Sequence, residues 1–203
     1  MDGAAVCALV LAGHSNLDPI LPGPRRWSNG LACVSAFVLK GQGDLDDAMT
    51  LLKEQEALCR QIGGQDGLFA CLANQGSVLA EQGDSQGALR LLADAEQICR
   101  GLENPDGLQA CLGRQTLIYI NLGESDRAMA LLQKQERLCR RLRQPGVLGG
   151  CLHNQGLILA NRQEFGAALK LVQEAEGLFR RAHLDEALRQ CREVQVWARS
   201  QMA

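Results

Sequence analysis

The stretches LLKEQEALCR (51–60), LLADAEQICR (91–100) and LLQKQERLCR (131–140) stand at one phase of a forty-residue period, and LVQEAEGLFR (171–180) continues it. Between them, FACLANQGSVLAEQGD (69–84), QACLGRQTLIYINLGE (109–124) and GGCLHNQGLILANRQE (149–164) fall into register without a gap. Ala48, Ala88, Ala128 and Ala168 form one column, and Gly43, Gly83 and Gly123 form another that departs to Gln163. Repetition on this scale decides the fold before any local pattern does, because each unit is one supersecondary element that must be buried by its neighbours.

Within a period the units are helical. Leu68, Cys71, Leu72, Gln75 and Leu79 make one stripe of a first helix, A, and Ala88, Leu91, Leu92, Ala95 and Ile98 make one of a second helix, B. Gly83 suits the left-handed end of helix A, and Asp84 or Ser85 is placed to cap helix B. The stretches Gly63 to Gly67, Glu103 to Gly107 and Arg141 to Gly146 read as loops between units. Composition agrees: hydrophobic residues are 46% of the 203 but aromatic ones only 3%, and the dominant residue types favour helix over sheet. The fold class expected is all-α, a solenoid of antiparallel helix pairs. The expected organisation is an irregular segment at 1–28, where Pro19, Pro22 and Pro24 break any helix, and then a repeat domain at 29–199. That domain comprises a degenerate repeat at 29–66, repeats at 67–106, 107–146 and 147–184, and a capping helix at 185–199.

Several functions are disfavoured at this level. With 21 basic and 23 acidic residues there is no large field of one sign, so neither nucleic acid nor an anionic membrane is expected as the partner. The apolar run Ala4 to Leu11 follows Asp2 and has no preceding cation, unlike a secretory leader, and no segment has the apolar length of a membrane span. A reducing, cytoplasmic setting is the expectation. The nine cysteines include no closely spaced metal-binding pair, and His14, His153 and His183 stand apart from ligating or nucleophilic partners, so no metal, cofactor or catalytic centre is expected. Seven of the cysteines obey the period, Cys59, Cys99 and Cys139 each lying twelve residues before Cys71, Cys111 and Cys151, with Cys191 following the last unit. They read as small apolar residues at helix crossings, with redox clips as the alternative. The cluster Arg137, Arg140, Arg141 and Arg143 reads as a solvated helix end.

These columns resemble the tetratricopeptide repeat over about residues 29 to 199: Gly76 and Gly156 at the small position of helix A, Gly83 and Gly123 at the turn, Ala88, Ala128 and Ala168 at the first small position of helix B, and Ala95 and Ala175 at the second. The forty-residue length is similar to the variety found in kinesin light chains, Leu-Gly-Asn-type polarity adaptors, nephrocystin-type proteins and MalT-like regulators, with helix B and its loop extended. The resemblance implies a right-handed superhelix whose A helices line a concave groove for a partner's peptide segment. Where that family usually has a bulky aromatic residue early in helix A this chain has Leu72, Leu112 and Leu152, and where it usually has Leu this chain has Gln75, Gln115, Gln155 and Gln195. Buried amides need partners, so these glutamines are expected to bond neighbouring backbone or one another.

By the same resemblance Asn74, Ser77 and Arg114 are candidate groove contacts, as are Leu117, His153, Asn154 and Leu157. An Asn amide there offers a donor and an acceptor to a peptide backbone, and Arg114 a fork for a carboxylate. Asn74 and Arg114 look like two members of the carboxylate clamp of chaperone adaptors, but Cys33 and Ala110 replace that family's lysines, so chaperone binding is not expected. The reading is a non-enzymatic scaffold or adaptor for a protein or peptide, with self-association through open repeat ends as the alternative.

Overall fold

The computed structural model describes residues 35–202 apart from residue 37. The expectations for residues 1–28, for the start of the first repeat, and for Cys33 and His14 lie outside the described residues. The described residues form two compact units, one ending at Glu103 and one beginning at Asn104. The first unit holds helical residues at 35–36 and 38–42, then α1 (Leu45–Ile62), α2 (Gln65–Glu81) and α3 (Ser85–Gly101). The second holds α4 (Pro105–Asn121), α5 (Ser125–Leu142), α6 (Pro145–Asn161), α7 (Phe165–Arg181) and α8 (Asp185–Ser200). No strand occurs among the described residues.

Each turn is built the same way. A residue of positive φ recurs every twenty positions, as at Gly43, Gly63, Gly83, Glu103, Gly123, Arg143, Gln163 and His183. At seven of these eight turns the amide of the next residue reaches back to the carbonyl five before it, as in Asp84 N to Leu79 O at 2.9 Å, Glu124 N to Tyr119 O at 2.9 Å and Glu164 N to Leu159 O at 2.9 Å. That bond closes a Schellman-type helix end and satisfies a carbonyl that the helix leaves orphaned. The following helix is then started by a side-chain cap where the sequence supplies one: Asp84 accepts from Gly87 N at 2.8 Å, and Asn104 from Gly107 N at 2.9 Å. Pro105 and Pro145 occupy first-turn positions, where a missing N–H costs nothing.

This regularity corrects one expectation. The connections between units are no longer than those within them, and the helices are 17 or 18 residues long from α1 to α7, so both helices of a pair are lengthened, not helix B and its loop alone. Gly67 and Gly107, expected in loops, lie inside the first turns of α2 and α4. At Glu103, Arg143 and His183 the left-handed turn conformation is taken by residues other than glycine, which hides those turns in the sequence.

The core follows the columns. Ala48, Ala88, Ala128 and Ala168 are each 0% exposed, and Leu52, Leu92, Leu132 and Leu152 at most 2%. Burying each such Leu contributes about 1.5–3 kcal/mol. The small residues set how closely helices approach: a methyl group on Gly76 would stand 3.2 Å from Ala88 O, and one on Gly156 would stand 2.5 Å from Val172 Cγ2. In the second unit α8 packs on α7 and α6, burying Cys191, Val194, Gln195 and Ala198.

Candidate functional site

The candidate groove residues lie on the A helices of each unit. Asn74 and Ser77 stand on α2, Arg114 and Leu117 on α4, and His153, Asn154 and Leu157 on α6. Spacings of three bring 74 with 77, 114 with 117 and 154 with 157 onto one helix face each. Asn74, Ser77, Arg114 and Asn154 are half-buried, and Leu117 is 55% exposed. Ser77 Oγ donates to Ala73 O at 3.1 Å, which ties its hydroxyl to its own helix. Leu157 packs on the edge of the second unit's core.

His153 differs from the rest of the set. It is only 9% exposed, and its Nδ1 lies 3.5 Å from Cys191 Sγ, so its ring is part of the packing between α6 and α8. Burial pushes its pKa below the ordinary imidazole value. The sequence signal was available: Ala73 and Gly113 occupy the same column, which is a packing column.

The glutamine column is buried, and its partners are mostly not the expected ones. Gln75 Nε2 donates to Leu52 O at 3.3 Å, a backbone partner as expected, and also to Glu56 Oε2 at 2.7 Å. Gln155 donates to Glu136 at 2.7 Å and Gln195 to Glu176 at 2.9 Å, so Gln75, Gln155 and Gln195 each meet a carboxylate rather than another glutamine. Each acceptor lies nineteen residues before its donor. The same carboxylates take an Arg four residues on, pairing Glu56 with Arg60, Glu136 with Arg140 and Glu176 with Arg180. Glu56, Glu96, Glu136 and Glu176 form a column of the period, a signal that the sequence carries and that reading the glutamines alone misses.

The seven described periodic cysteines are buried thiols. In the second unit Cys139 and Cys151 share a hydrogen bond, and desolvation raises both pKa values, with the Glu136 charge adding to the effect. Cys191 is pushed up to about 11, chiefly by burial and then by Glu176. Such thiols are the inert kind. Among the described residues no group of three or more His, Cys, Asp or Glu side chains is placed to hold a metal ion, and no helix is long and apolar enough to cross a membrane.

Two clefts accompany these faces. One in the first unit, about 640 Å³, lies among Met49, Lys53, Gln75, Leu79 and Arg90. The other, about 460 Å³, lies in the second unit among the ends of α5 and α7 and the start of α6. Neither is lined by the candidate groove residues.

Helix pairs of this length, with small residues at the crossings and a left-handed turn every twenty positions, define an all-α helical-repeat fold of the tetratricopeptide-like kind. Solved structures agree on the fold. A signal transduction ATPase of the STAND class with a tetratricopeptide repeat sensor, from Pyrococcus horikoshii, matches with a TM-score of 0.77 at 13% identity over 85% of this chain and 27% of its own. Nearly identical tetratricopeptide-like repeats of a putative kinesin light chain from Podosopora anserina match at 0.63 and 15% identity, over 90% of this chain and 100% of theirs. A Rap protein complexed with Competence and Sporulation Factor matches at 0.66 and 13% identity, over 87% of this chain and 48% of its own. No protein-family model matches the chain, and no curated protein matches it in sequence.

Proposed function

We propose that this chain is a non-enzymatic protein-interaction scaffold or adaptor that holds a peptide segment of a partner protein against the faces of its A helices. The observation that carries the reading is a stripe repeated at 74/77, 114/117 and 154/157, which lies beside the buried stripe and stays partly open to solvent in every unit. Repetition of a partly open stripe offers equivalent positions on each A helix, which suits recognition of a peptide segment. Asn74 and Asn154 offer amides to a backbone, Arg114 faces a carboxylate, and Leu117 and Leu157 supply apolar contact. Ser77 and His153 belong to the support of this face. The Rap neighbour, solved with Competence and Sporulation Factor, supports ligand recognition by this fold. The proposal includes a cytoplasmic setting, in keeping with thiols rather than disulfides, and excludes nucleic acid, membrane, metal and cofactor.

The test is capture of partners by the wild-type chain beside Asn74→Ala and Arg114→Ala/Asn154→Ala variants, with helicity checked by circular dichroism. Partners held by the wild type and lost by the variants support the reading; identical captures sink it. A second reading, a self-associating repeat module, is favoured by the outer face of α8, where Val196 is 68% and Trp197 40% exposed. A molar mass that rises with concentration and falls back on Val196→Glu is its signature.

A further inference from the structure

The cleft in the second unit is apolar in its floor and cationic at its rim. Leu148 and Leu178, each 7% exposed, and Pro145 supply the floor, while Arg140, Arg143 and Arg181 stand around it. Arg140 is committed to Glu136 and Glu174, at 2.9 Å each. Arg143 and Arg181 are exposed and take no carboxylate among the described residues, so two guanidinium groups on one cleft lack a counter-charge. Gln144 lines the same wall; its Nε2 donates to Asp106 Oδ1, while its Oε1 is buried without a hydrogen-bond partner.

From the apolar floor and the two unpaired rim arginines we infer that the cleft is a second docking site, separate from the candidate groove residues, for an acidic segment of a partner protein in extended form. A side-chain carboxylate of the segment meets Arg143 and Arg181, and an adjacent aliphatic side chain lies on Leu148 and Leu178. The rim calls for an anion and the floor selects which one: the apolar floor takes an aliphatic side chain that a phosphate backbone does not carry, and the cleft has no aromatic side chain on which a base would stack. At about 460 Å³ the cleft takes an aliphatic side chain together with its neighbouring carboxylate, and is in the size range of ligand clefts. Arginine is suited to the rim because its fork matches a carboxylate and its stem covers apolar surface.

The experiment uses the full chain and an array of capped octapeptides, each with one Glu and one Leu fixed at a different separation and Gly or Ser elsewhere. Peptides that bind are measured by fluorescence anisotropy against wild type, Arg143→Glu/Arg181→Glu, and Arg114→Ala/Asn154→Ala. The expected result is saturable binding at one or more separations, loss of about tenfold or more in affinity on charge reversal, and no change in the A-helix variant. Replacing the peptide's Glu by Gln should cause a similar loss, and raising the salt concentration a smaller one. Since both arginines are exposed, charge reversal leaves the helical signal intact, which circular dichroism checks. Absence of binding across the array, binding unchanged by charge reversal, or displacement of the peptide equally well by octanoate or by a short single-stranded DNA overturns the inference. Loss in the Arg114→Ala/Asn154→Ala variant alone moves the peptide to the A-helix face and overturns it as well, while leaving the first proposal standing.

Discussion

Gln163 holds a left-handed backbone, φ 64°, at the position where Gly43, Gly83 and Gly123 stand in the other units. A side chain there costs about 1–2 kcal/mol relative to the ordinary helical region, against the smaller entropic cost of an extra glycine in the unfolded chain. Gln163→Gly is therefore expected to raise the unfolding free energy by about 0.5–1 kcal/mol, read from the urea midpoint at unchanged slope. Gly123→Ala should do the reverse by a similar or larger amount. The sequence makes the glycine turns legible because glycine is the residue that adopts this conformation freely. It conceals Glu103, Arg143 and His183, whose side chains give no sign that the fold forces them into the same geometry. His153 was misleading for a related reason: its chemistry suggests a surface, and only the column it shares with Ala73 and Gly113 reveals packing.

Between helices, the close contacts and the polar chain make separable demands. A methyl group on Gly156 would meet Val172 Cγ2 at 2.5 Å and Ala168 O at 3.2 Å, and Val172 is itself 0% exposed and has nowhere to go. Gly156→Ala should thus destabilise by about 1–3 kcal/mol, and a double-mutant cycle with Val172→Ala should recover part of that loss. Glu136 takes hydrogen bonds from Gln155 and from Arg140. Its removal strands a buried amide, so Glu136→Ala is expected to cost about 1–3 kcal/mol, whereas Arg140→Ala, which removes an exposed partner, should stay within about 1 kcal/mol. Periodicity shows that helices A and B exist and which stripes are buried. It does not show volume exchange between units: Phe179 stands where the other units have Cys59, Cys99 and Cys139, and it is accommodated because a methyl group on Gly149 would lie 2.7 Å from its ring, where the corresponding residues are Phe69 and Gln109. Such pairs become legible only when two columns are read together. The rim arginines of the cleft escaped for the same reason, since Arg181 belongs to a helix distant in sequence from the cluster at 137–143.

For the molecule as a whole, buried titratable groups tie stability to pH. His153 has a folded pKa below its unfolded one, so the unfolded chain takes up a proton near pH 6.5 that the folded chain refuses until lower pH. Stability is complete above that range and falls as the pH drops through it; the difference between wild type and His153→Ala in urea midpoints at pH 7.5 and 5.5 isolates the effect. The thiols act at the other end. Cys191, raised to about 11, favours the folded state until the unfolded thiol ionises near pH 9, and this contribution declines as the pH rises further. At pH 8 the seven buried thiols should resist a disulfide reagent in native buffer and react in guanidinium, and an equal rate in both would remove the case for burial.

The nineteen-residue interval between each glutamate and its glutamine has a consequence for how such a chain can lengthen. Because each of these glutamate–glutamine bonds is made within a span shorter than one period, an in-frame gene duplication of forty codons would copy acceptor, donor and turn together and strand none of them. Growth by duplication therefore asks for no compensating mutation in the interior, and leaves selection to act on the faces that the new unit presents to other molecules.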